Sequence, residues 1–338
     1  MGTENAKIKV LVTGGGGFVG MALVRRLVQS GYQVSSFSRN IYKEHKQMGV
    51  KSIQGDITDA DALEMACEGV EAVFHVAAKV GIWGNKNDFY KVNVAGTEKV
   101  IRACRKKNVK KLIFTSSASV VFDGSDLLDV DEALAYPQKP VSFYTSTKAE
   151  AEQLVLAANS EVLRTISLRP HLIWGPGDTQ LIPKIIRRVK SGRFRKIGRE
   201  DVLIDTVYID NLIDAQLLAL EKMELEEVNG KAFFITNGKP IFVWSFINSI
   251  TEVFGLFPVE KRVPKVLVWL LAWMLEQIHR LFHIEKEPYI TRFVLQQLCT
   301  NHWFDISRAK RLLGYSPKVG FKEGIRNLKD SLNKNEVL

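Results

Sequence analysis

A tyrosine and a lysine four residues apart, Tyr144 and Lys148, could carry acid–base chemistry. At this spacing the two side chains lie on one face of a helix, one turn apart. A free phenol has a pKa of about 10, too high for easy proton exchange at neutral pH, and a nearby fixed cation favours the phenolate. The spacing therefore predicts that Lys148 lowers the pKa of Tyr144, and that Tyr144 exchanges a proton with a carbonyl or hydroxyl oxygen.

Two further residues could assist this pair. Ser117 follows an apolar strand, and its hydroxyl can orient and polarise the same oxygen. Asn93 lies on a long predicted helix and could support the lysine through water or backbone. Surface helices also contain Tyr-x-x-x-Lys by chance, so the catalytic interpretation depends on a second motif.

That motif is a glycine-rich loop at residues 13–20, between a predicted strand and a predicted helix. Gly14 permits the tight turn, Gly17 lets the backbone approach a pyrophosphate, and Gly20 lets the helix pack against the sheet. The pyrophosphate would lie on free amides at the positive end of the helix dipole. The loop predicts a dinucleotide cofactor.

The end of the second strand bears on which dinucleotide binds. NAD sites usually place an acidic residue there, whereas this chain has Ser38 and Arg39. A guanidinium suits a 2′-phosphate by charge and by geometry, so NADP is favoured over NAD. The alternative is that Arg39 is a solvated loop residue. Asp56, after the third strand, is placed to meet the adenine amino group.

Strands and helices alternate through the first half of the 338 residues, which predicts a parallel, doubly wound, Rossmann-type α/β sheet. Residues 1–170 are the predicted NADP-binding domain, to which residues 202–222 could return. Residues 171–338 are predicted to form mainly a smaller, mostly helical substrate lobe. The predicted strands are 7–12, 33–37, 51–54, 71–76, 111–116 and 164–169. The predicted helices are 18–29, 59–68 (with Thr58 as its cap), 88–107, 143–158, 180–190, 210–222, 243–254 and 263–282.

Composition excludes several classes of protein. Hydrophobic residues make up 46% and charged residues 25%, which is typical of a folded globular chain and not of a disordered one. The three widely spaced cysteines predict reduced thiols in the cytoplasm, and residues 1–12 show no secretory signal. His279 and His283 have a zinc-like spacing, but Arg280 stands where a zinc protease has glutamate, so no metal is expected.

Two segments raise the question of partners. The apolar stretch 263–282 is either a buried helix or a lid over a long-chain substrate that also touches a membrane surface. The basic run 187–196, with Arg199, is either a solvated helix end or a site for a substrate carboxylate, a coenzyme A phosphate or anionic lipid. The net charge is +10, but neither this run nor the basic run 102–111 shows aromatic interleaving or a helix-turn-helix signature, so nucleic acid is not expected.

Several segments together resemble the extended short-chain dehydrogenase/reductases, in the 3β-hydroxysteroid dehydrogenase branch. They are 75–79, 115–120, 144–148 and 168–178. Within that branch the chain is similar to the sterol-4α-carboxylate 3-dehydrogenases and, into its C-terminal lobe, to the bacterial 2-alkyl-3-oxoalkanoate reductases. The resemblance implies Tyr144 as catalytic acid–base, with Lys148 and Ser117 beside it, and a homodimer through helices 88–107 and 143–158. It implies cofactor contacts from Gly14, Gly16, Gly17, Phe18, Val19, Gly20, Asp56, Ile57, Ala77, Ala78, Lys79, Thr115, Pro170 and Ile173.

Both types of relative act on a carbon that bears a hydroxyl or carbonyl group β to a carboxylate. With Arg39 favouring NADPH, the expected reaction is reduction of a 3-oxo group on a lipid-like acid, a 2-alkyl-3-oxoalkanoate above all. A 3β-hydroxysteroid or sterol-4-carboxylate dehydrogenase is the alternative. A nucleotide-sugar epimerase or dehydratase is disfavoured, because Ala118 and Ser119 follow Ser117 in place of an Asp-Glu pair. A non-catalytic NADP-binding sensor would be free to lose Tyr144 and Lys148.

Overall fold

A computed structural model describes residues 8–334 of the chain. Residues 1–7 lie outside the described residues; they are part of the segment 1–12, in which the sequence shows no secretory signal. The strands are β1 Lys9–Thr13, β2 Gln33–Ser38, β3 Lys51–Gln54, β4 Ala72–His75, β5 Lys111–Thr115, β6 Leu127–Val130, β7 Arg164–Pro170, β8 Ile173–Trp174, β9 Lys196–Ile197, β10 Leu203–Ile204, β11 Val207–Tyr208, β12 Lys231–Ile235, β13 Ile241–Phe242, β14 Arg262–Val263 and β15 His302–Phe304. The α-helices are α1 Phe18–Gln29, α2 Lys43–Gln47, α3 Ala60–Ala66, α4 Lys86–Phe89, α5 Gly96–Lys106, α6 Phe143–Ala157, α7 Leu181–Lys190, α8 Ile209–Lys222, α9 Val243–Val253, α10 Lys265–Leu281, α11 Arg292–Cys299 and α12 Phe321–Asn333.

A seven-stranded sheet in the order β12-β7-β5-β4-β1-β2-β3 forms the centre of the molecule. All six strand pairs are parallel, which confirms the predicted Rossmann-type fold. Its central strands are short apolar runs that helices cover on both faces, as parallel strands require. The strand order reverses between β1 and β4, and a ligand crevice opens at the carboxyl ends of such a pair. The glycine loop leaves β1 at this point.

The predicted helix 88–107 is not one regular α-helix. A π-helical segment, Tyr90–Ala95, separates α4 from α5, and π-segments in helices are frequent at functional sites. The predicted cap of α3 was wrong, because the amide and the hydroxyl of Thr58 both bind the Asp56 carboxylate. Asp59 caps the helix instead, by accepting from the Ala62 amide.

The C-terminal half both extends the sheet and covers it. β12 adds the seventh strand beside β7, and α8 packs against α1. The remaining strands form a small sheet in the order β13-β10-β15-β6, which takes β6 from the first half, and two parallel pairs, β8 with β11 and β9 with β14. The sequence prediction omitted β12, the short strands β6, β8–β11 and β13–β15, and three helices, α2, α11 and α12. None of the helices within residues 8–334 combines the length and the apolarity needed to cross a bilayer.

Candidate active site

The glycine loop has the shape of a cradle that side chains would fill. Gly14 has a φ of +72°, and a Cβ there would lie 2.8 Å from the Cα of Ala77. A Cβ on Gly20 would overlap the carbonyl oxygen of Gly14. The Gly17 amide donates to that same oxygen at 3.0 Å, which closes the turn just before α1. The backbone can therefore approach a phosphate group at the helix N-terminus, and the residues fit a dinucleotide.

A cavity of about 1080 Å³ runs from this loop to Tyr144. Of the predicted cofactor and catalytic residues, three do not line it: Lys148, Thr115 and Asn93, which lie behind its wall. The predicted residues that line it are Gly14, Gly16, Gly17, Phe18, Val19, Gly20, Ser38, Arg39, Asp56, Ile57, Ala77, Ala78, Lys79, Ser117, Tyr144, Pro170 and Ile173.

At the β2 end of the cavity, Arg39 stands close to Asp56. Hydrogen bonds from Thr58 hold the pKa of the Asp56 carboxyl below its usual value, and the charges of Arg39 and Lys91 lower it further. Two cations thus accompany one ionised carboxylate where the adenosine part of a dinucleotide would lie. Sequence reasoning missed Lys91, which follows the aromatic residue at the start of the π-segment.

Tyr42 was also missed. Its ring covers Gly16, where a Cβ would overlap it, and it lines the same cavity. His45, fully buried one helical turn later, lies 3.2 Å from the Gly15 carbonyl oxygen through Nε2. The short helix α2 therefore packs its first turn against the glycine loop. A five-residue helix gives little periodic signal, which is why the sequence did not reveal it.

Tyr144 and Ser117 meet at the other end of the cavity. A hydrogen bond from Ser117 favours the phenolate, but burial has the larger effect and raises the pKa of Tyr144 above its ordinary value. The Ser117 hydroxyl also lies 2.8 Å from that of Ser119. In the chain alone Tyr144 is therefore a neutral phenol, able to donate a proton.

Lys148 is 2% exposed and does not line the cavity that Tyr144 lines. Its Nζ donates to the Thr115 carbonyl oxygen at 2.7 Å and lies 3.9 Å from the centroid of the Phe114 ring. Burial lowers the pKa of Lys148 to about 7, although the Glu152 charge opposes this. Burial raises the pKa of Tyr144, which differs from the expectation that Lys148 lowers it.

Asn93 joins the loop after β4 to the helix of the catalytic pair. Its Oδ1 accepts from the Lys79 amide at 2.7 Å, and its Nδ2 donates to the Lys79 carbonyl and to Thr147 Oγ1, both at 3.1 Å. Between residues 8 and 334 no hydrogen bond links it directly to Lys148. Its position in the π-segment turns the amide toward these partners.

His75, at the end of β4, is a neutral link between the glycine loop and the π-segment. Thr97 donates its hydroxyl hydrogen to the Asn93 carbonyl, so it accepts from His75 Nε2. His75 Nδ1 must then accept from Thr13, at 2.8 Å. Burial lowers the pKa of His75 to about 3, with the Lys148 charge adding to the effect, so the ring stays uncharged.

A buried ion pair that the sequence analysis missed lies one turn beyond Lys148. Arg169 donates to the Glu152 carboxylate through Nε and Nη2, at 2.9 and 2.7 Å. Ser167 and Tyr136 donate to the same carboxylate at 2.6 and 2.7 Å. These partners hold the pKa of Glu152 below its ordinary value against its burial. The two members of the ion pair come from α6 and β7, so no local spacing in the sequence indicated the pair.

The half of the cavity toward the C-terminal lobe is mostly apolar. Its apolar side chains include Leu181, Ile185, Phe194, Ile204, Phe246, Ile247, Phe293, Val294 and Leu298. The cations Lys184 and Arg188 of α7 also line it and face one carboxylate, Glu287, with Lys184 at 2.7 Å. Of the basic run, Arg188 is thus part of the cavity wall, whereas Arg187 and Lys190 at the end of α7 are exposed.

Comparison with known proteins adds independent information. Residues 11–264 match the model of the 3-beta hydroxysteroid dehydrogenase/isomerase family. The chain is 41% identical to the 2-alkyl-3-oxoalkanoate reductase of Shewanella oneidensis, over 95% of this chain and 85% of that protein. It is 35% identical to the decarboxylating sterol-4-alpha-carboxylate 3-dehydrogenase of Mus musculus, over 96% of this chain and 91% of that one. The solved structure of MoeE5 in complex with UDP-glucuronic acid and NAD is similar in fold, with a TM-score of 0.74, 23% identity, and coverage of 97% and 99%.

Proposed function

We propose that this chain reduces 2-alkyl-3-oxoalkanoates with NADPH. The chain belongs to the 3-beta hydroxysteroid dehydrogenase/isomerase family and is an NAD(P)-dependent oxidoreductase. The observation that carries the proposal is the composition of the cavity. One end meets the glycine loop and Tyr144, and the other is lined by apolar side chains. Such a lining suits alkyl chains and leaves few partners for the hydroxyl groups of a nucleotide sugar.

The nicotinamide cofactor, when bound, supplies the hydride. The glycine loop and the N-terminus of α1 would hold its pyrophosphate, and Ala77 to Lys79 would line its path to Tyr144. Arg39 and Lys91 beside Asp56 favour a cofactor with an additional phosphate, which supports NADP over NAD.

The chain's own acid–base work falls to Tyr144. A phenol with a raised pKa is protonated at neutral pH and can give its proton to a carbonyl oxygen that becomes an alcohol. Ser117, which already hydrogen-bonds the phenol, can donate to the same oxygen and orient it. Lys148 stands behind them as the positive charge that stabilises the phenolate after transfer.

The reverse reaction gives the clearest assay, because a 3-oxo acid formed from a 3-hydroxy acid loses carbon dioxide and leaves a stable ketone. The purified enzyme is incubated with NADP⁺ and 2-alkyl-3-hydroxyalkanoic acids, and NADPH absorbance and ketone are both measured. 3β-Hydroxysteroids and UDP-sugars are run in parallel. We expect turnover with the alkyl acids. Turnover with steroids or UDP-sugars alone would overturn the proposal.

Tyr144→Phe is the control for the catalytic assignment. Loss of a general acid typically costs about 10²- to 10⁴-fold in rate, whereas NADPH affinity should stay within about twofold. Full activity in this variant would remove Tyr144 from its proposed role.

A further inference from the structure

Helix α10 presents an apolar surface that the other residues of the described range 8–334 leave uncovered. Of its 17 residues only Ala272 and Glu276 are buried. Large apolar side chains along it are exposed, among them Trp269 at 43%, Leu270 at 50% and Trp273 at 45%. A helix that is apolar on nearly all sides is stable in water only when another apolar phase covers it.

Contacts on the buried side of α10 hold the helix in the orientation that exposes its apolar side chains. Glu276 accepts from the Arg292 amide at 2.7 Å and from its Nε at 2.9 Å, at the start of α11. The loop between these helices is tied down as well, because Trp83 Nε1 donates to the Ile284 carbonyl at 3.0 Å. With these contacts in place the helix cannot rotate its apolar side inward.

Cations gather at the N-terminal end of the same helix. The parallel pairing of β14 with β9 brings the end of the basic run beside the start of α10. Arg193, Arg199, Lys261, Arg262 and Lys265 are all exposed, against two exposed carboxylates in the same segments, Glu200 and Glu260. Across the described range 8–334, none of these five cations forms an ion pair with a carboxylate.

We propose that α10 and these five cations form a docking surface for an anionic lipid bilayer, on which the helix lies parallel to the membrane plane. Apolar side chains would enter the boundary of the acyl chains, and tryptophans are favoured at that depth. The cations would meet anionic headgroups, each strengthening binding about fivefold. Charge complementarity thus favours this occupant over a second copy of the chain, which has the same positive charges.

The surface lies one layer away from the cavity. α10 packs on α11, and the far side of α11 supplies Phe293, Val294 and Leu298 to the apolar half of the cavity. If the proposed function holds, a lipid-like substrate would cross only this layer between bilayer and active site. Vesicle binding itself does not depend on the proposed function.

Flotation of the purified full chain with vesicles tests the proposal. We expect binding to vesicles of phosphatidylcholine with 30% phosphatidylglycerol, at least tenfold weaker binding to phosphatidylcholine alone, and weakening by salt. Leu270→Asp with Met274→Asp should abolish binding, whereas Met65→Asp, at a 70% exposed residue of α3, should not. Lys261→Glu with Lys265→Glu should weaken binding more than Lys310→Glu with Lys329→Glu, which changes the net charge equally.

NADPH binding and turnover of a short, water-soluble substrate are measured on every variant. Retention of both shows that the fold is intact, and it separates failure of docking from failure of the proposed function. Equal flotation of wild type and the α10 variants would overturn the proposal. Light scattering tests whether α10 instead joins two copies of the chain. If wild type is a dimer that does not bind vesicles, and the α10 variant is a monomer, the surface is a dimer interface and the proposal is overturned.

Discussion

Replacing Lys148 with methionine should stabilise the folded chain at neutral pH, although it removes the amine that we propose assists Tyr144. Burial lowers the pKa of Lys148 from 10.5 to about 7. In the unfolded chain the amine keeps its proton up to about pH 10. Between pH 7 and pH 10 the unfolded state therefore binds more protons than the folded state, and the free energy of unfolding rises with pH.

The magnitude follows from these two pKa values. The single amine should add about 2 kcal/mol to the free energy of unfolding between pH 7 and pH 9, and its burial costs about 4 kcal/mol at pH 7. Methionine is uncharged, but it leaves the Thr115 carbonyl without its partner, at a cost of about 1–3 kcal/mol. K148M should thus be more stable than wild type by about 1–3 kcal/mol at pH 7 and about equally stable at pH 9.

Urea unfolding followed by tryptophan fluorescence at pH 7, 8 and 9 measures both chains at one protein concentration. The raised pKa of Tyr144 lies above this range, and Cys67 titrates alike in both variants. Lys99→Met is the matched control, because Lys99 Nζ also donates to a backbone carbonyl, that of Thr58, from a partly exposed side chain. If wild type and K148M show the same dependence on pH, Lys148 is charged throughout and the reasoning is wrong.

Three other changes test separate parts of the site. Arg39→Asp should weaken NADPH binding about ten- to a hundredfold through loss of a charged contact and leave NADH binding unchanged. Lys43→Asp, the control, should alter neither affinity. An unchanged cofactor preference in Arg39→Asp would refute the role of Arg39. Arg169→Met should lower the free energy of unfolding by about 3–5 kcal/mol, because it leaves the Glu152 charge buried and unpaired. Adding Glu152→Leu should restore most of the lost stability. Urea unfolding that shows no recovery in the double variant would contradict this expectation. Asn93→Ala should cost about 2–4 kcal/mol and speed hydrogen exchange at the Lys79 amide, and unchanged protection there would count against its positioning role.

The parts of the fold that depend on local sequence were predictable. Six strands of the central sheet, β1 to β5 and β7, and helix α1 were predicted from apolar runs, from glycines at their ends and from helical periodicity within short windows. β12 was missed although Lys231–Ile235 is apolar, because only its pairing with β7, far back in the chain, identifies it as the seventh strand. Helix α2 was missed because five residues give no periodicity.

The site divides in the same way. The glycine loop and the Tyr144–Lys148 spacing are local patterns, and the structure places both at one cavity, with Lys148 behind its wall. The ion pairs of Glu152 with Arg169 and of Lys184 with Glu287 join distant segments and could not be read from spacing. The direction of the Tyr144 pKa was wrong because a sequence shows which charges are near but not how much water is excluded. The homodimer through helices 88–107 and 143–158, and the cytoplasmic location, stay predictions.

Fixed charge is scarce at the reacting end of the cavity. Tyr144 is neutral, burial keeps His75 neutral, and the Glu152 charge is engaged by Arg169. Lys148 is therefore the one group among these whose charge can change near pH 7. An anionic cofactor in the cavity would favour its protonated form, and the ammonium would then favour the phenolate of Tyr144. The acid–base pair that the sequence predicts would in this way be completed by binding. Saturating NADPH should accordingly reduce the rise in the free energy of unfolding between pH 7 and pH 9 in wild type, because the folded state would then keep the Lys148 proton. An unaltered rise would show that NADPH binding does not change the charge of Lys148.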